Sequence, residues 1–171
     1  RREKKLKSWS KYQEVYPDAA SFDEPQELAD AVTAAADSIS EWGFGKVTIN
    51  DAKEALDASG NQIGYLITST SAESYGGNVQ IAVGITNEGE LTGIGFLSIS
   101  DTPGLGMKAK EPEFKSNFKN KKADKFEVVK DGSGKNDDSK VDAISGATIT
   151  SKAVTNATDA AIYFVANCLA Q

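Results

Sequence analysis

Histidine is absent from all 171 residues, and the single cysteine, Cys168, stands near the C-terminal end. Without histidine there is no Ser-His-Asp triad and no His-based zinc site. One cysteine can neither close an internal disulfide nor hold an iron–sulfur cluster. It falls in an apolar helical pattern, where a buried structural thiol is expected. A basic surplus is missing too: 19 Lys and Arg stand against 25 Asp and Glu, a net charge of −6. That balance keeps a domain soluble and argues against nucleic acid as a partner, because a phosphate-binding groove needs a basic surface. No apolar run approaches the ~18–20 residues that would span a bilayer. There is no internal repeat and no low-complexity tract.

What remains is a chain long enough for one domain with a real core, burying roughly 70% of its unfolded surface. The start departs from this pattern. Arg1 to Lys7 holds six charges in seven residues, with no initiator methionine. A basic cluster of this kind commonly flanks the cytoplasmic side of a membrane segment. Residues 1–14 are therefore expected to be a juxtamembrane or linker segment, with any membrane anchor outside the given sequence.

Residues 23–42 read as one amphipathic helix, with Leu28, Val32, Ala35, Ile39 and Trp42 at helical spacing, Asp23 able to cap it and Gly43 after its end. From Val47 to Ile99 the pattern turns to strands: 62–70, 78–86 and 90–99, the last two joined by the turn Asn87-Glu88-Gly89. An antiparallel meander with one polar face is expected, its glycines (Gly64, Gly84, Gly93, Gly95) marking bulges or close backbone approach. Residues 111–120 predict a short helix with Phe114 and Phe118 on one face. Short strands follow at 126–129 and 141–144. The polar loop between them, 131–139, lacks the spacing and terminal Glu of an EF-hand and reads as a solvated hairpin loop. A last helix is expected from about Ser151 to Leu169, with Val154, Ala157, Ala161, Phe164, Val165 and Cys168 on its apolar face. Helices flanking a mainly antiparallel sheet give the class α+β.

Two segments carry chemistry. In the strand-to-helix turn, Ser145, Gly146 and Ala147 are small enough for close backbone approach to a ligand. The helix start beyond them offers unpaired N–H groups and a positive dipole end, a setting suited to phosphate. The hydroxyls of Ser145, Thr148, Thr150 and Ser151 crowd this turn. Thr150 or Ser151 serves equally well as a plain helix N-cap. The second segment, Asp101-Thr102-Pro103-Gly104-Leu105-Gly106, is on its residues alone a Pro-Gly turn. The lysines at 108, 110, 115, 119, 121 and 122 read as a solvated face or as a docking surface for a neighbouring protein.

DAISGAT, residues 142–148, is similar to the D-x-x-[S/T]-G-A-T flavinylation motif of bacterial FMN-binding domains. DTPGLGMK, residues 101–108, resembles the E-T-P-G-L-G loop of the RnfG and NqrC proteins of respiratory membrane complexes. The run from Ile63 to Ile99, FKSNFKNKK at 114–122 and VDAISGATITSKAV at 141–154 agree with it in the same order. The resemblance covers about residues 15–167 and is closer to RnfG. It implies a single FMN-binding domain over 15–171, with FMN moved from FAD by a flavin transferase onto Thr148 as a phosphoester. A threonine hydroxyl is a poor nucleophile at neutral pH, which is why a transferase is required.

The resemblance further implies that Asp142 helps the transferase dock or orients the hydroxyl. Thr102, Gly104, Leu105 and Gly106 are then candidates for ring contacts, and Tyr65 and Tyr75 stand in family-like positions. Two residues depart from the pattern: Asp101 replaces the family's Glu, and Ile99 a common His. These departures bear on any proton-transfer role of the loop and leave the acceptor untouched. The implied function is a membrane-anchored, extracytoplasmic electron-transfer subunit of an Rnf-type ion-translocating ferredoxin:NAD oxidoreductase, working with the other membrane subunits rather than as a complete enzyme. The alternatives are a free-standing extracellular flavin carrier, the FMN domain of another reductase, or a cofactor-free assembly module.

Overall fold

The computed structural model describes residues 11–99 and 112–169. Strands β1 (Ser21–Asp23), β2 (Val47–Leu56), β3 (Gln62–Ser74), β4 (Gly77–Thr86) and β5 (Leu91–Ile99) form one antiparallel sheet in chain order: β3 to β5 are the expected meander, and β1 and β2 extend it. Helix α1 is Gln26–Ala35, α2 is Pro112–Lys115, and α3 is Thr148–Phe164, continued by a π turn over Val165–Leu169. Strands β6 (Glu127–Val129) and β7 (Lys140–Asp142) pair only with each other.

The sheet has two unlike faces. Ile67, Val79, Ile81, Val83, Ile94 and Phe96 point to the side covered by α1 and α3 and build the main core. The bulge at Asn50 resets the alternation of β2, so that Val47, Ile49 and Ala52 all reach this core. The other face is paved with Ala55, Leu66 and Ala82 and with the glycines of β3 to β5. It is not polar. A helical turn at residues 11–15 and the segment to Ala19 lie directly on it, burying Tyr12, Val15 and Tyr16. Close approach of this strap explains the glycines: a Cβ on Gly64 would stand 2.4 Å from the Tyr16 hydroxyl and 2.4 Å from the Ile85 carbonyl, and one on Gly95 would meet Val15 Cγ2 at 2.7 Å. Tyr16 donates to the Ile63 carbonyl at 2.9 Å, and Thr92 Oγ1 to the Val15 carbonyl at 2.7 Å.

Other expectations shift. The helix over 23–42 is two pieces: α1 ends at Ala35, and a 3-10 turn covers Ile39–Trp42, closed by Gly43 in the left-handed region at φ 88°. Asp23 caps nothing; it ends β1, and its carboxylate accepts from the Glu24 amide. The 131–139 loop does not close a hairpin. β6 and β7 run parallel, pairing Glu127 with Lys140 and Val129 with Asp142, so the loop carries the chain back over the pair as a crossover. The short helix with Phe114 and Phe118 is present as α2 and a following 3-10 turn, and the two rings meet edge to face at 5.6 Å. Cys168 is half-buried against the core rather than fully buried, and its desolvation pushes the thiol pKa up.

α3 is buried along nearly its whole length although it contains Ser151, Thr155, Thr158 and Asp159. Thr155 and Thr158 bury their hydroxyls by donating to the carbonyls one turn back, at 2.8 and 2.9 Å. Asp159, 1% exposed, accepts the Phe126 amide at 2.9 Å through Oδ1, while Oδ2 has no partner among the described residues. Burial raises its pKa from 3.8 to about 7, against the lowering effect of that amide and of Lys125. The native chain thus holds a proton that the unfolded chain releases. The neutral acid's contribution is complete below about pH 4 and is lost as pH climbs towards about 7.

Two stability measurements follow. Asp159→Asn, which keeps an oxygen for Phe126, is expected to raise stability at pH 8 by roughly 2–4 kcal/mol, with little change at pH 4. Urea denaturation at the two pH values checks it. Gly64→Ala is expected to cost about 1–3 kcal/mol by lifting Tyr16 off the sheet, read as a lower midpoint with an unchanged urea slope.

Candidate cofactor site

Strand β7 delivers the chain to the turn that starts α3. Ala147 donates to the Ile144 carbonyl at 2.9 Å, closing a four-residue turn whose third residue, Gly146, sits at φ 77°. Only glycine takes that conformation at no steric cost. Ala147, not Thr150 or Ser151, is the N-cap residue of α3. Thr148 is therefore the first helical residue, and Thr150 and Ser151 belong to the first turn inside the helix. Thr148 and Ile149 are β-branched and favour no helix start of their own; a buried hydroxyl fixes it instead. Ser151 Oγ donates to the Ala147 carbonyl and accepts the Ile144 amide, both at 2.9 Å.

The turn is open where a ligand would arrive. Ser145 and Gly146 are exposed, Thr148 is half-buried, and Ile149 is 55% exposed. The first helical hydrogen bond runs from the Ser151 amide to the Ala147 carbonyl, so the amides of Thr148 and Ile149 have no acceptor within the helix. No acidic residue occupies the first turn of α3. The positive end of the helix is left for an external anion. Thr150 is buried, and its hydroxyl accepts the Tyr75 amide at 3.3 Å, pinning the β3–β4 hairpin against the helix start. Tyr75 presents its ring to solvent at 69% exposure, next to this turn. Tyr65 packs half-buried against the main core.

Ile144 and Ser145 of the turn also line a cavity of about 650 Å³. That volume is within the range of cofactor pockets. Phe114, Val129 and Ile144 supply apolar walls; Lys121, Lys135 and Asp142 supply charge. Asp142 is a wall rather than a free group: its Oδ1 accepts the Gly134 amide at 2.9 Å. Its main chain is read by Asn117, whose Oδ1 accepts the Asp142 amide at 3.1 Å and whose Nδ2 donates to the Asp142 carbonyl at 3.4 Å. Sequence reasoning missed Asn117, Gly134 and the inward turn of Lys121; the one signal was Asn117 within FKSNFKNKK. Thr102, Gly104, Leu105 and Gly106 lie outside the described residues. The open turn, the helix end without acids and the adjoining cavity together fit a phosphate-bearing planar cofactor such as FMN.

Comparison with known proteins agrees. The FMN-binding domain family model matches residues 74–163, and the chain belongs to that family. It is 35% identical over 128 residues to the G component of the proton-translocating ferredoxin:NAD(+) oxidoreductase complex of Clostridium ljungdahlii, covering 68% of this chain and 67% of that protein. It is 36% identical over 110 residues to the G component of the Na(+)-translocating ferredoxin:NAD(+) oxidoreductase complex of Acetobacterium woodii, covering 64% of this chain and 53% of that protein. The chain thus spans about half to two thirds of the length of these relatives. Among solved structures, the C component of the Na(+)-translocating NADH-quinone reductase from Parabacteroides distasonis is 25% identical, with a TM-score of 0.57 over 71% of this chain and 64% of that one. Among the described residues, no helix is long and apolar enough to cross a membrane.

Ser151→Ala leaves the buried Ile144 amide without its acceptor. The expected cost is ~1–3 kcal/mol of stability. Hydrogen exchange should show the Ile144 and Ala147 amides losing protection before the β3–β4 ladder does; equal loss everywhere would contradict a local role for the clasp.

Proposed function

We propose that this chain is the extracytoplasmic FMN-carrying electron-transfer domain of an Rnf-type ion-translocating oxidoreductase, with FMN held as a phosphoester on Thr148. The observation that carries this reading is the setting of Thr148. It is the half-buried first residue of a 17-residue helix, directly after an exposed Ser-Gly turn whose Ser145 lines a cavity of about 650 Å³. The names of the relatives in Clostridium and Acetobacterium supply the complex.

Attachment requires the Thr148 oxygen to attack the FMN phosphorus of FAD. One P–O bond forms and the bond to the AMP half breaks. The hydroxyl proton passes to the transferase, since no described side chain at the turn is placed as a base. Once made, the phosphodiester keeps one negative charge at the helix N-terminus, where the amides of the first turn and the dipole favour it. Ser145, Gly146 and Ala147 give the phosphate access to backbone. Asp142 holds the crossover loop through Gly134, keeping the cavity walls apart. Thr150 and Ser151 fix the helix start from inside. Thr102, Gly104, Leu105 and Gly106 are the candidates for ring contacts that the family resemblance supplies. When bound, the flavin accepts and releases electrons; the domain's own work is to hold and orient it and to limit its contact with water. The other membrane subunits of the complex serve as donor and acceptor.

Coexpression with a flavin transferase followed by intact mass under denaturing conditions tests the attachment. Wild type is expected to gain one FMN less one water, Thr148→Ala to gain nothing, and Thr148→Ser to retain at least part of the gain. A wild-type chain that stays at its bare mass with an active transferase rules the reading out.

A further inference from the structure

Among the lysines that read as a solvated face, Lys121 stands apart. Its backbone is built into the sheet edge: the Leu91 amide donates to the Lys121 carbonyl at 2.7 Å, an isolated antiparallel bridge onto the start of β5. Its side chain turns into the cavity wall, half-buried. There Nζ donates to the Gly134 carbonyl at 2.9 Å and to the Lys140 carbonyl at 3.3 Å. Two carbonyls fix the position of the ammonium without neutralising it, and the carboxylate that feels its charge, Asp137, does so without an ion pair to it. No carboxylate comes within 4.0 Å of it among the described residues, and one of its three N–H bonds is left over from these two contacts.

The wider lining has the same sign. Lys121, Lys130 and Lys135 face Asp142 as the one carboxylate among the described lining residues, and the Gly134 amide already binds that carboxylate. A chain with net charge −6 thus concentrates positive charge at the cavity that adjoins the acceptor turn. The crossover shape of the 130–139 loop produces this. A parallel β6–β7 pair brings Gly134 and Lys140 to the same side, where one lysine can span both carbonyls. A hairpin loop would project away.

We infer that Lys121 is a positioning charge for the reduced flavin: it stabilises the negative charge that two-electron reduction places on a ring lodged in this cavity. The inference rests on the flavin reading above. Oxidised isoalloxazine takes up two electrons from a low-potential donor and one proton at N5, and leaves one negative charge shared by N1 and the C2 carbonyl oxygen. A fixed ammonium in a partly desolvated wall favours that anion over the neutral oxidised ring. A bulk-solvated lysine would be screened. Lys121 touches backbone in the present geometry, and its effect on the ring is electrostatic.

The test uses the flavinylated chain reduced stepwise with dithionite against reference dyes. Lys121→Met, of similar length and neutral, is expected to lower the midpoint potential. At a fixed potential near the wild-type midpoint, the ratio of reduced to oxidised flavin should fall about tenfold or more. Lys121→Arg, which keeps the charge, should stay near wild type. Lys135→Met, which removes a more exposed charge and none of the two carbonyl contacts, should shift the potential in the same direction by less. It carries the test if Lys121→Met does not fold. Intact mass is read first. A chain without flavin overturns the attachment and this role together. A chain with full flavin, whose potential is unmoved in Lys121→Met, or in Lys135→Met where the former is unfolded, overturns this role alone. A potential equally lowered in Lys121→Arg assigns Lys121 to propping the wall and also overturns it.

Discussion

The hydroxyl of Ser151 holds together three things that have no other reason to coincide. It takes the amide of Ile144 as the strand ends, gives its proton to the carbonyl of Ala147 as the helix begins, and lies in the core where water cannot compete. Because these bonds close within seven residues, the direction in which β7 leaves the crossover pair and the direction of α3 are set together. Thr148 sits between them, so its backbone position is set by a buried group. The same helix is locked to the sheet further along by Ser69, whose hydroxyl donates to the Ala157 carbonyl at 2.9 Å. Thr148, the proposed acceptor, thus stands on a helix that is buried along most of its length.

Much of this is legible in the residues. The strand-like runs and the Asn-Glu-Gly turn locate β3, β4 and β5 to within a few residues, while β1 and β2 are not among the expected strands. The apolar spacing of 154–168 locates the last helix, and DAISGAT locates the turn. Three things escape. The start of the strap reads as linker because Lys11 to Ala19 has no long period; its partner is a surface made of glycines, and absence of side chains leaves little pattern to detect. The 23–42 helix reads as continuous because its apolar spacing runs on past the turn at Asp37 and Ser38, where hydrogen bonding tightens. The crossover reads as a hairpin because short strands flanking a polar loop look the same in either orientation. Only pairing distinguishes them, and pairing is not a local property.

At the site the missed residues share a cause. Asn117 and Lys121 act through contacts with backbone, at Asp142, Gly134 and Lys140. A sequence motif records side chains that meet a ligand. It does not record side chains that meet main chain elsewhere in the fold, since almost any residue can supply an amide or a carbonyl.

The unlike faces of the sheet give the domain two opposite modes of failure. On the side of α1 and α3 the contacts are made by large branched residues, so damage there comes from removing atoms, and neighbours can relax into part of the space. Beneath the strap the fit is made by glycines without a Cβ, so damage comes from adding atoms, and the first added carbon meets the strap or a neighbouring strand. Random substitution almost always enlarges a glycine. The strap face should therefore drift far less in sequence than the core face.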